Sequence, residues 1–201
     1  MEFNIDINDT INKSVGVSTK FAEFWRGMTF PSNIGPALSF LVVLAVLPFV
    51  GSILKGFIPQ PYFVPFGGMF WVWMPVYGII AGVFWYIYFV GAPIVLGAIM
   101  GALDKPLNIN KGDANSYTTI VAYSYAPAAI GFFLTFIPFI GFLFGLLGIL
   151  SLVAVYLGLT VALGLDSGQA VIMLVVSGLI AMVIFFVFFG ILFGLSMAIA
   201  F

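Results

Sequence analysis

The sequence contains no cysteine and no histidine, and only 6% of its 201 residues are charged. Without cysteine there can be no disulfide, no thiol nucleophile and no sulfur ligand for a metal. Without histidine the commonest general base and metal ligand is missing too. Six basic residues against seven acidic ones leave a net charge of −1, which gives no electrostatic basis for binding nucleic acid. A soluble domain has roughly a quarter of its residues charged, so this chain has too little polar surface to coat a water-facing globule. What is present instead is apolar: 63% hydrophobic residues, 24 Phe, 23 Gly and a mean hydropathy of +1.25. Lipid is therefore expected to be its main solvent, and Gly is well tolerated in spanning helices.

The opening MEFNIDINDT is acidic and polar, unlike a secretory signal peptide. The first span is thus expected to act as its own uncleaved anchor. Residues 1–33 form a polar cytoplasmic segment in which Ile11, Val15, Phe21, Phe24, Trp25 and Met28 recur at three- and four-residue spacing, with Lys13, Lys20 and Arg26 between them. That pattern reads as an amphipathic helix in the headgroup region, or else as a frayed lead into the membrane.

Five apolar stretches follow, at about 35–54, 75–102, 117–137, 139–165 and 170–201. The expected fold is all-α: a polytopic membrane protein of five transmembrane helices with an N-terminal interfacial helix. Pro36 falls in the first turn of the first span, where a missing N–H costs nothing. Trp71 and Trp73 suit an interfacial aromatic belt, and Pro93 suits a kink in the second span. The third and fourth spans should form a tight hairpin around Pro138. The last stretch would be about 48 Å long as a helix, against a hydrocarbon core of about 30 Å. It must tilt, break near Ser177–Gly178 or Gly190, or protrude. LPFVG at 47–51 and IPFIG at 137–141 form a faint internal echo, open to reading as a duplication.

Five spans place the two ends of the chain on opposite sides. Lys13, Lys20, Arg26, Lys105 and Lys111 fall on the N-terminal side with all seven acids, and only Lys55 falls on the other. Basic residues near span ends are retained in the cytoplasm. The expectation is a cell-membrane protein with its N-terminus inside and its C-terminus outside.

No charged residue lies within these spans, which lowers the case for an ion-coupled carrier, although carbonyls and hydroxyls can also line a pathway. Asp104, Asp113 and Asp166 could converge on a divalent cation, but they read better as solvated loop carboxylates near helix starts. Asp166 with Gln169 fits a capping box. No metal or cofactor is expected, and no catalytic residue. Small residues at four-residue spacing (Gly78 and Gly82, Gly97 and Gly101, Gly141 and Gly145, Gly190 and Gly194) permit close helix approach. The fourth span, with Gly141, Gly145, Gly148 and Gly158, is expected to be the central packing helix. The most polar intramembrane patch is VAYSYAP, 121–127. Pro127 frees a carbonyl near Tyr123, which Ser124 or a neighbouring hydroxyl can satisfy. Alternatively Tyr117, Tyr123, Ser124, Tyr125 and Pro127 offer a contact for a partner helix or a lipid headgroup.

KGDANSYTTIVAYSYAP at 111–127, with GLTVALGLDSGQA at 158–170, resembles the Yip family of Rab/Ypt-interacting membrane proteins, in its archaeal and bacterial branch. The matching positions are Gly112, Ser116, Tyr117, Tyr125, Pro127, Gly158, Leu159, Gly164 and Ala170, within a likeness spanning roughly residues 15–185. The resemblance implies a scaffold or adaptor in membrane trafficking or membrane organisation, with other membrane proteins or further copies of the chain as partners. Eukaryotic members engage Rab-type GTPases through a cytosolic Asp-Leu-Tyr-Gly-Pro motif. That motif is absent here, so GTPase binding does not carry over. A small-solute permease or channel subunit is the alternative function.

Overall fold

The computed structural model describes residues 5–58, 69–137, 140 and 142–200, without the side chains of 69–74, 142, 143 and 188–200. Every regular element among the described residues is helical. The chain begins with α1 (Ile7–Thr19) and α2 (Phe21–Arg26). The Asp6 side chain caps α1 by accepting from Asp9 N–H at 3.0 Å. The one amphipathic helix expected here is two, broken at Lys20. The faces also differ from expectation. Thr10, Ser14, Val17 and Trp25 are buried, whereas Ile7, Ile11 and Val15 point outward. α2 folds back because Gly16 lets the Phe24 ring come close, where a Cβ would sit 2.9 Å from it.

Among the described residues, five segments are long and apolar enough to cross a membrane: Gly35–Phe57, Pro75–Leu103, Ala114–Leu134, Phe144–Ala162 and Ser167–Val187. The protein is an all-α polytopic membrane protein. Its first span is a kinked pair, α3 (Gly35–Leu44) and α4 (Val46–Phe57), with Pro48 just past the kink at Ala45. The third is built the same way from α6 (Ala114–Ser124) and α7 (Ala126–Leu134), with Pro127 in the first turn of α7. In each, proline withholds one donor from the previous turn. The kinked spans lie side by side, α3 on α6 and α4 on α7, and Gly51 brings the α4 backbone against Phe133.

Between them runs α5 (Met69–Leu103), which continues through both Pro75 and Pro93. Its start at Met69 takes Trp71 and Trp73 into the first turns of the helix. Gly78 and Gly82 set it against Ser52 and Phe49 of α4, while Gly97 and Gly101 set it against Thr118 and Ala114 of α6. These are the close approaches their spacing predicts. α8 (Phe142–Leu157) packs on α7 and ends in a π-helical turn, Gly158–Ala162. The hairpin residues Pro138 and Gly141 lie outside the described residues, as do the side-chain surroundings of Gly190 and Gly194. α9 (Ser167–Ala200) is unbroken at Ser177–Gly178 and at Gly190. At about 51 Å it is far longer than the hydrocarbon core, so it tilts or protrudes rather than breaks. The Asp166–Gln169 capping box that starts it is formed in both directions, at 2.8 and 3.3 Å.

Candidate functional site

The third span is the centre of the bundle, with 67% of its apolar window buried against 17% for the fifth. Asp113 starts it as N-cap, accepting from the N–H and hydroxyl of Ser116 at 2.8 and 2.7 Å. Those bonds, the hydroxyl's first, hold the Asp113 carboxyl below its ordinary range. One turn on, the buried Tyr117 hydroxyl donates to Asp104 at the end of α5, at 2.5 Å, and Lys111 N–H donates to the same oxygen at 3.3 Å. Asp104 is only 4% exposed, which corrects its reading as a solvated loop carboxylate. The loop between α5 and α6 closes over it with Asn108 (φ 56°) and Asn110 (φ 51°) left-handed, a conformation Asn tolerates better than most residues. Asp104, Asp113 and Asp166 thus serve three separate local hydrogen-bond sets.

Two turns further in, Tyr123 receives groups from three elements. The Phe40 ring of α3 meets it edge-on at 4.7 Å and the Phe24 ring of α2 at 6.1 Å. The Lys13 ammonium of α1 lies 5.2 Å from its ring centroid and 2.6 Å from Asp9. Burial opposes the charge on Lys13, but the Asp9 hydrogen bond leads a set of contacts that together raise it above its ordinary pKa. Beside this cluster, Gly158 admits Trp25 and Ile120 so closely that a Cβ would stand 2.6 Å from Ile120 and 3.2 Å from the Trp25 indole.

The expected partner contact does not stand on an open face. Tyr117, Tyr123, Ser124 and Pro127 are buried within the chain's own helices, because α1, α3, α5 and α8 all pack on α6. Tyr125 is half-buried and sets its hydroxyl beside that of Tyr88. The kink is not repaired by Ser124, whose hydroxyl has no partner among the described residues. A different backbone group of the kink is satisfied from α8, where Ser151 accepts from Ala128 N–H at 3.0 Å. The packing expected of the fourth span is also redistributed. A Cβ at Gly145 or Gly148 would meet nothing among the described residues within 4 Å, since α7 crosses α8 on another face, where Gly131 meets Phe144 and Leu147, whereas Gly158 is tightly enclosed. Sequence reasoning missed Asp104 and the Lys13–Tyr123 contact. Their partners lie 13 and 110 positions away, and no local pattern marks such pairings.

A family model described as the Yip1 domain matches residues 15–196, nearly the whole chain. No curated protein and no solved structure matches it significantly. The matched segment begins inside α1, so it includes part of the helix that carries Lys13 onto Tyr123 as well as all five spans. The chain belongs to the Yip family of integral membrane proteins.

Proposed function

We propose that this protein is a non-enzymatic membrane scaffold that holds other membrane proteins, or further copies of itself, against its outer helix faces. The observation that supports this most is the contrast between spans. Only 17% of the fifth span's apolar window and 22% of the second's are buried within the chain. Leu179, Val183 and Phe186 on α9, with Ile80, Val83 and Ile87 on α5, are exposed. In a bilayer, helices associate by packing rather than by escape from water, so faces this open are available to a partner's helix at no cost in hydrophobic burial. Tyr117, Tyr123 and Ser124 are enclosed within the bundle, which weighs against a solute pathway lined by these hydroxyls. The partner contact therefore moves from Tyr125 to the outer faces of α5 and α9.

A photo-cross-linking residue at Val183 tests this in native membranes, with one at the buried Thr118 as control. The expected result is a discrete protein adduct from position 183 alone. Lipid adducts only, together with solute flux through the purified protein in liposomes, would replace the scaffold with the permease reading.

A further inference from the structure

Two cavities flank α1 where it lies against the start of the first span. One, of 470 Å³, is lined by Asp6, Asp9, Asn33, Ser39 and Phe40 among others. The other, of 500 Å³, is lined by Lys13, Glu23, Phe24, Met28 and Tyr123. Pro31 and Pro36 wall both, so the chambers are neighbours separated by the Asp9–Lys13 pair. Pro36 is in the first turn of α3, which sets the chambers where hydrocarbon gives way to headgroups. Each has a polar side and an aromatic or aliphatic side, and each far exceeds the roughly 30 Å³ share of one water.

We infer that these chambers bind the headgroup of a zwitterionic phospholipid carrying a primary ammonium, of the phosphoethanolamine type. The lining charges select this class. Asp6 and Asp9 line the first chamber and Glu23 the second, three carboxylates against a single ammonium, Lys13. An anionic lipid would add like charge to that set, whereas a zwitterion matches it in both signs. Its phosphate answers Lys13 on one side, and its ammonium answers Asp6 and Asp9 on the other. A primary ammonium also has three donors for the carboxylate, amide and hydroxyl acceptors of the first chamber, where a quaternary ammonium has none. The Asp9–Lys13 pair does not block entry, because a partly exposed ion pair is weakly held and both of its charges are re-paired by the ligand. The surface of α1 fits the same occupant. Ile7, Ile11 and Val15 form an outward stripe at four-residue spacing while its small polar Thr10 and Ser14 face the bundle. Acyl chains provide the apolar surroundings that such a stripe requires.

The full-length protein, purified in mild detergent, would be offered equimolar phosphatidylethanolamine, phosphatidylcholine and phosphatidylglycerol, and retained lipid read by native mass spectrometry. One phosphatidylethanolamine should be retained about tenfold or more over either competitor, the scale of one charge-assisted hydrogen bond. Asp9→Asn and Lys13→Met should each abolish that preference. The exchanged pair, Asp9→Lys with Lys13→Asp, keeps an ion pair for folding but reverses its polarity, and should abolish it too. Equal retention of the three lipids by the unaltered protein would overturn the inference, and that comparison does not depend on any variant folding. Preference unchanged in the exchanged pair would overturn it as well. Soluble glycerophosphoethanolamine displacing the lipid at equal concentration would overturn the lipid as occupant in favour of a free phosphodiester.

Discussion

Asp113 illustrates how far a single side chain can be read from its neighbours. Asp followed three positions later by Ser, at the edge of an apolar run, is a local N-cap pattern, and the carboxylate does accept from both Ser116 donors. Its pKa is lowered in the fold, chiefly by the Ser116 hydroxyl. The stabilisation is therefore complete above the ordinary carboxylate pKa of about 3.9 and is lost as pH falls through the lower folded value. Asp113→Ala should cost about 1 kcal/mol at neutral pH, a difference from the parent that shrinks in strong acid. Asp113→Asn keeps an oxygen for the cap and should cost less than alanine, losing only the part that depends on the carboxylate's charge. Thermal unfolding in detergent across pH measures both, and an alanine penalty that stays constant down to pH 2 would contradict the cap's role. Asp104 was not legible in the same way. Its position after α5 resembles any loop start, and only the arrival of the Tyr117 hydroxyl makes it an interior group.

At the scale of helices, spacing shows that close approach is possible but not where it happens. Gly97, Gly101 and Gly145 sit in similar small-residue patterns, yet a Cβ at Gly101 would lie 2.7 Å from the Ala114 backbone, and at Gly145 would meet nothing within 4 Å. The difference is set by the face on which a neighbour crosses the helix, a property of the whole bundle. Gly101→Ala should therefore push α5 off α6 and destabilise the protein by about 1–3 kcal/mol, the usual range for overpacking. Gly145→Ala should be neutral, or slightly stabilising through the better helix propensity of alanine. Equal melting temperatures for the two variants would refute this assignment of faces. Proline gave the kink of the third span from sequence, because its missing donor is an intrinsic property. The acceptor for the Ala128 N–H at that kink, Ser151, was out of reach because it comes from a different span.

For the whole molecule, the five spans were legible because hydrophobic length is nearly sufficient to define a membrane helix. Their arrangement around α6 was not, since lipid-facing and buried residues are equally apolar and periodicity cannot separate them. The fifth span shows this well: its exposed Leu179 and Val183 are at least as hydrophobic as its buried Met173. Orientation in the bilayer rests on charge instead. Helix pairing in the bundle puts α1, α2, the loop after α5 and the turn before α9 at one end, gathering Lys13, Lys20, Arg26, Lys105 and Lys111 there, while Lys55 ends α4 at the other. Retention of basic residues in the cytoplasm then predicts that the five-lysine-and-arginine end is inside. The absence of cysteine makes this directly measurable, because any thiol introduced is the only one present. In intact cells, Lys55→Cys should react with a membrane-impermeant maleimide, and Lys111→Cys should react only after the membrane is opened. The reverse pattern would invert the protein in the bilayer. Reaction of both in intact cells would place these two loops on the same side, which the single span between them, Pro75–Leu103, forbids.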